Sequence, residues 1–534
     1  MSSLRFFAQR CLLASLAALT MLASSVMAAE PAVVVSVKSY MELLTDSQYL
    51  GNSLRQPMIG LALPGLVAQL TGGNGLKGLD TTRPIGAYLT VSSDGQPKDF
   101  VVFIPLTSEK LFSETLQALF SAPTTTGMIR EYQPKNGGRP IFAKVSPKHF
   151  LFAQNAEALA ETPDPDKLVK SPADIAVELD LTKIGDNLKE GFLAQVDAQA
   201  AATAQRNPSE TEAQYAGREA GRKLSLEAVR RLAMDGDRLS LGFNLDAKAK
   251  NVSLDLGFTA KPGTALAQAC ASYAKTESPF VGLISKQTVG SFFFSAPISE
   301  SVQRLMKATI ESSQQEQEAK LQDLPADQRE AFRRGAQQMI QVAQESIQRG
   351  RWDQALVVNA TESGKFQVLS AMKIAKGRDL SKFAESLAAV YPSIRFNVAE
   401  VGGARVHSIA LPPEFEEAFG SGPAHVAVSE DQILFALGGD SLAATKAALE
   451  GKASKNARAP ISLRIGLSKL LPLIPNADSQ LLELVKSAFA SGNDEIALEI
   501  ASQPNGAKLR LEIQDGVLQL VGLGIQARSA GPGR

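Results

Sequence analysis

Hydrophobic and polar positions along the chain fall into two alternating regimes. Runs such as Phe100-Val101-Val102-Phe103-Ile104-Pro105-Leu106 and Phe366-Gln367-Val368-Leu369-Ser370-Ala371-Met372 predict strands. Each is followed by a segment with apolar residues at helical spacing: Leu111 to Phe120 after the first, Lys382 to Tyr391 after the second. Phe112, Glu114, Leu116 and Ala118 match Phe383, Glu385, Leu387 and Ala389. The correspondence continues in chain order. Gly137-Gly138 before Ile141 to Val145 matches Gly402-Gly403 before Val406 to Ala410, and each glycine pair predicts a tight hairpin turn, where positive φ is needed. Leu151-Phe152-Ala153 matches Leu434-Phe435-Ala436, and helices are predicted to begin near Ala156 and Asp440. Ile175 to Lys183 matches Ile461 to Lys469. Leu239, Leu241, Phe243, Val252, Leu254 and Leu256 match Ile496, Leu498, Ile500, Leu509, Leu511 and Ile513, with the alternation of half-buried antiparallel strands.

Collinear repetition of this kind predicts an α+β fold made of two tandem, diverged repeats of a mostly antiparallel sheet covered by helices. The repeats are expected over 29–275 and 276–525. Each carries a long helical insert, over 187–235 and 301–350. In the first insert Asn207-Pro208-Ser209-Glu210 has the form of a capping box with a proline at the first helical position. In the second, Pro325 divides two helices, and Phe332, Met339, Ala343 and Ile347 share one face. The inserts diverge while the flanking strands correspond, so function is expected there, and deletion of Gln314 to Arg349 is expected to leave a folded protein. Residues 526–534 have no apolar period and are expected to be disordered.

The N-terminus departs from both regimes. Arg5 and Arg10 precede an uncharged apolar run from Cys11 to Leu22, and Val26-Met27-Ala28 supplies the small residues that a signal peptidase reads. Residues 1–28 are therefore expected to be a cleaved signal peptide, with the mature chain exported to the periplasm or the exterior. Cys270 is then the one remaining cysteine; it cannot close an internal disulfide, and its Ala-rich helical setting predicts a buried small side chain. The longest later apolar run, Pro57 to Leu70, is too short to span a bilayer and contains Pro64. No transmembrane segment is expected in the mature chain.

Composition changes the picture little. The 534 residues are too many for one ordinary core, and 44% hydrophobic with 21% charged is a globular balance. Lys+Arg and Asp+Glu are both 55, which argues against a phosphate-tracking surface and hence against nucleic acid as a partner.

The segment Gly75-Leu76-Lys77-Gly78-Leu79-Asp80-Thr81-Thr82-Arg83-Pro84-Ile85-Gly86-Ala87, followed by Phe100 to Thr107, resembles a recurring pattern in secreted proteins of planctomycete bacteria. The resemblance extends to Gly137-Gly138 and Leu151 to Gln154. It implies export and duplication; the family has no established activity, so no functional residue follows from it.

Candidate chemistry is sparse. Gly73-Asn74-Gly75-Leu76-Lys77-Gly78 has the letters of a dinucleotide-binding loop, but a helix-like run precedes it and a turn follows, the reverse of what a pyrophosphate site needs. Ser272-Tyr273-Ala274-Lys275 has the Ser-x-x-Lys spacing in which a lysine activates a serine, without the companion motifs of penicillin-binding enzymes. His149, His407 and His425 have no metal-ligand spacing and read as sheet histidines. Asp164-Pro165-Asp166 and Glu414 to Glu417 lack a calcium-loop pattern and read as solvated surface. No cofactor is expected. These observations favour an exported, non-enzymatic protein of interaction or structural-support type, its partner an unknown protein or apolar ligand. The alternatives are a periplasmic carrier of an apolar ligand, or an enzyme for which Ser272 and Lys275 are the first candidates.

Overall fold

The computed structural model describes residues 31–73, 75–92, 96–208, 210–274, 278–321, 325–386, 393–450, 459–470 and 479–529. The signal-peptide region and Lys275 lie outside them. The chain is α+β, and its strands pair antiparallel. Two compact units are present. The first contains the described residues up to Gln195, Leu232–Thr264 and the stretch from Glu512 onward; the second contains Val196–Arg231 and Ala265–Leu511.

In the first unit neighbouring strands run Asn251–Ala260, Gly236–Asp246, Ile175–Asp180, Pro31–Val37, Ile85–Val91, Pro97–Pro105, His149–Ala153, Ile141–Val145, Ile129–Tyr132 and Thr124–Thr126. Period-2 alternation divides their side chains between two faces. Tyr88, Val101, Phe103 and Leu151 pack with Leu159 on one. Phe150, from the same strand as Leu151, packs on the other with Phe112 and Leu116 of the Glu109–Leu116 helix. The Phe112 and Phe150 rings meet edge to face at 5.2 Å.

In the second unit Gly506–Gln514, a strand that belongs to this unit as far as Leu511, is followed by Glu495–Gln503, Ile461–Gly466, Thr288–Pro297, Arg351–Ala360, Phe366–Lys373, Gln432–Leu437, Ala424–Val428, Ala404–Ile409 and Ile394–Val401. Phe293, Ala355, Val357, Leu369, Val406 and Leu434 form its core, with Leu442 and Leu449 of the Ser441–Glu450 helix against them. Polar residues also point inward here. Ser295 bonds to Asp353, whose carboxylate also takes two bonds from Arg351, at 2.8 and 3.1 Å.

Several expectations are corrected. Gly402-Gly403, with φ of 57° and 78°, forms the two-residue turn between Ile394–Val401 and Ala404–Ile409. Gly137-Gly138 instead lies in a longer connection, where only Gly137 has positive φ (79°) and closes a turn back to the Pro134 carbonyl at 3.1 Å. The two glycine pairs are therefore not equivalent turns. The helix of the first insert, Glu212–Asp235, is capped by Thr211 and not by Asn207. The Thr211 hydroxyl accepts from the Gln214 amide at 3.2 Å, and the Gln214 side chain accepts from the Thr211 amide at 3.2 Å.

Pro325 does divide Glu300–Leu321 from Ala326–Gln348, but the inward face of the latter is Val342, Ser346 and Ile347, while Met339 is exposed. The Ser346 hydroxyl accepts the Ala375 amide at 2.8 Å, and Arg349 donates to the Ile374 carbonyl at 2.7 Å. The end of this pair is fastened to its own unit, so deletion through Arg349 removes core. Both inserts are helix pairs joining neighbouring segments of sheet, as is Tyr40–Ser53 with Pro57–Leu70 in the first unit. The C-terminal helix Asp515–Ser529 includes the first four residues of the stretch expected to be disordered; 530–534 lie outside the described residues.

Candidate functional site

Most polar clusters in the structure are occupied in holding elements together. Cys270 is buried within its helix. Ser272 donates to the Ala269 carbonyl at 2.6 Å, a bond internal to its helix turn. The glycine loop after Pro57–Leu70 turns through Gly73, Gly75 and Gly78, all at positive φ. A Cβ on Gly78 would stand 2.3 Å from the Phe112 nitrogen, so the glycine serves a close backbone approach and not a phosphate.

The histidines are buried and directed. His407 Nδ1 accepts the Asn397 amide at 3.2 Å, leaving its proton on Nε2 toward Ser381. His425 Nδ1 lies 2.7 Å from the Ser441 hydroxyl, which itself donates to the Pro423 carbonyl at 2.6 Å. Ser441 therefore accepts from the imidazole, the opposite of a serine being deprotonated by its base. Burial holds both His425 and His149 below the ordinary imidazole value. Asp166 is not simply solvated, as the sequence suggested. It pairs with Arg83 and lies 3.4 Å from His149 Nε2, while Asp164 caps the short Pro165–Leu168 helix.

A cleft of about 400 Å³ opens in the second unit beside Ser285, Thr288, Arg464, Ser468, Lys469 and Asp494. Its charges are largely spent on each other: Arg464 bonds Glu495 at 3.0 Å and Glu499 at 2.7 Å, and Ser468 holds Asp494. Among the described residues no group of three or more histidine, cysteine or acidic side chains could hold a metal ion.

The element that packing does not explain is the helix pair of the first unit. Tyr40–Ser53 starts at Ser39, whose hydroxyl accepts the Glu42 amide at 3.0 Å, and ends where Arg55 takes φ of 53°. Pro57, at the first position of the next helix, restarts the chain with its φ already set. The helices cross through glycines. A Cβ on Gly51 would lie 3.0 Å from the Gly60 nitrogen, and one on Gly60 would lie 3.1 Å from the Gln48 Cα. Pro57–Leu70 then ends on Thr71, which donates to the Val67 carbonyl at 2.8 Å, and on Gly72 at φ of 58°.

Pro57–Leu70 contains no charged residue and, of polar side chains, only Gln69. A helix apolar all round normally lies inside a core. Here Met58, Leu61 and Leu66 remain 72%, 60% and 52% exposed. Val521 of the C-terminal helix, in the same unit, is half exposed as well. That helix is held by Asp515, which bonds Ser53 and takes the Lys250 carbonyl on its amide at 2.8 Å, and by close contact of Gly522 with Leu54.

Beneath the pair, Asp46 is 3% exposed and its Oδ2 has no hydrogen-bond partner. Burial, and then the charges of Asp174 and Glu42, push its carboxyl up to about 7. Lys38 lies beside this group, donating to Glu42 at 2.9 Å and to Asp174 at 3.2 Å.

In the sequence, Pro57–Leu70 stands out only when measured against the length of a membrane span. Among the described residues no helix is long and apolar enough to cross a membrane. The signal it does carry is a charge-free run of 14 residues. Comparison with family models, curated proteins and solved structures finds no match to this chain.

Proposed function

We propose that this is an exported, non-enzymatic protein of interaction or structural-support type, acting in the periplasm or outside the cell, and that Pro57–Leu70 is its docking element. The observation that carries the reading is the exposure of Met58, Leu61 and Leu66 on a helix with no charge. Contiguous exposed apolar surface of this kind marks interaction sites in folded proteins. The Arg-flanked apolar run ending at Val26-Met27-Ala28 supports export.

The chain is built from two diverged copies of one unit. Supporting this, each sheet has the same chain connectivity. The first strand lies between its second and eighth, the third pairs with the seventh, and the fourth to seventh follow outward in reverse. Helix pairs follow the first and the eighth strands in both. This correspondence rests on pairing order and needs no match between glycine pairs. In it the Gly402-Gly403 turn stands where Gly127 stands in the first unit.

A photoreactive residue placed at Leu61 or Leu66 tests the docking element in the native cell. Capture of a neighbour from these positions is expected, and none from Thr125, an exposed residue of an edge strand. Equal capture from all three positions, or none from any, would contradict the reading.

A further inference from the structure

We infer that the occupant of the Pro57–Leu70 face is the surface of a lipid bilayer with anionic headgroups, an inference that rests on the docking role proposed above. The helix has 14 residues. At a rise of about 1.5 Å each it is roughly 21 Å long, short of the ~30 Å hydrocarbon layer, so it lies along the surface and does not cross it.

An isolated interfacial helix needs a polar face of its own to meet water. This one does not, because its inner side is packed on Tyr40–Ser53 through Gly60 and Gln48, and the rest of the unit supplies the wet side. Protein grooves are anchored by tryptophan, tyrosine or arginine. Pro57–Leu70 has none of these; its exposed residues are apolar from Pro57 and Met58 through Leu61 and Leu66 to Ala68, with Gln69 at its end the one polar side chain among them. A bilayer requires no such anchor, because its attraction is proportional to apolar area.

Charge completes the fit. Arg55, two residues before Pro57, and Lys77, seven residues after Leu70 beyond the glycine loop, are both exposed. Between them the chain is uncharged. Cations bracketing an apolar element meet headgroup phosphates while the side chains between them enter the acyl boundary.

The test is co-sedimentation of the chain from Ala29 onward, which keeps every described residue, with vesicles of phosphatidylcholine alone or mixed with phosphatidylglycerol. The protein is expected to sediment with both, more with the anionic vesicles. L61E/L66E should lower the bound fraction roughly ten-fold or more, and R55Q/K77Q should remove only the anionic preference. Thermal melts identify a variant that has failed to fold. Independently of them, a polarity-sensitive dye on Leu61→Cys should shift to the blue on adding vesicles, Cys270 being buried.

Failure of the protein to sediment, or sedimentation of L61E/L66E at the level of the unaltered chain, would overturn the lipid inference. If photocapture at Leu61 then still yields a neighbour, the docking role stands with a protein partner. If L61E/L66E abolishes a dimer seen by light scattering while vesicles are ignored, the occupant is a second copy of this chain. Loss of both vesicle binding and photocapture would remove the docking role as well.

Discussion

Asp46 illustrates how one residue reports on its surroundings. It sits on the inner side of the Tyr40–Ser53 helix with one carboxylate oxygen unpartnered, and its ionisation is pushed up to about 7 by burial, then by Asp174 and Glu42. The folded state therefore holds this proton more tightly than the unfolded chain, where the carboxyl has its ordinary value of 3.8. Stability from this group is fully present below about pH 4 and falls as pH rises toward 7, levelling above it. Each tenfold change in proton affinity is worth about 1.4 kcal/mol, so the whole effect is on the order of 4 kcal/mol. Asp46→Asn should flatten that slope and melt higher than the unaltered protein at pH 8. Parallel stability curves from pH 4 to 8 would show that Asp46 does not titrate in this way. None of this is legible in the sequence, where an aspartate in a helical stretch reads as solvated; Asp174, which repels it, is more than a hundred positions away. The histidines, by contrast, are legible as sheet residues, because they lie in or beside β-prone runs such as Val406-His407-Ser408-Ile409.

Elements are legible in proportion to their local signal. Strands with a β-prone run, such as Phe366–Lys373, and hairpins such as Gly236–Asp246 with Asn251–Ala260, fall where the pattern puts them. Helix starts are less legible, because capping residues recur. Asn207-Pro208-Ser209-Glu210 has the letters of a cap, and Glu210 does accept the Asn207 amide at 3.3 Å while Arg218 holds both of its carboxylate oxygens at 2.9 Å, but the helix begins only at Glu212. The reciprocal bonds form at Thr211 and Gln214 instead. Thr211→Ala should cost about 1 kcal/mol by removing the side-chain acceptor. A loss of that size in chemical denaturation, with no similar loss for Asn207→Ala, would locate the cap; the reverse order would misplace it.

Periodicity locates the inward face of Ala326–Gln348 only in part: Ile347 is buried as expected, while the Phe332 side chain lies outside the described residues. Met339 fits a heptad-like stripe but is exposed, because Ser346 and Ile347 are turned inward by the bond to Ala375. The apolar helix Pro57–Leu70 shows the complementary limit. Its residues are plain in the sequence, but exposure depends on what folds over it, and no local pattern encodes that.

At the scale of the whole molecule, the units are not simple halves of the chain. The stretch from Glu512 onward belongs to the first unit, where Asn251 donates to Glu512 at 3.0 Å and Gly522 lies against the Leu54 backbone. A Cβ on Gly522 would come within 2.3 Å of the Leu54 carbonyl oxygen. Gly522→Ala should therefore displace the C-terminal helix and speed hydrogen exchange across residues 51–56, far away in sequence. Unchanged exchange there would mean that the contact is not a constraint. Which unit a terminal helix completes depends on packing that periodicity does not record.

The central claim is that this protein acts by docking through Pro57–Leu70. The most direct test is fractionation of the producing cell, with the unaltered protein compared with L61E/L66E at equal abundance and with matched thermal melts. The account predicts that the unaltered protein is exported and sediments with the cell envelope or its associated assemblies, while the variant is exported equally well and stays in the supernatant. A folded variant that sediments with the same fraction as the unaltered protein would contradict it.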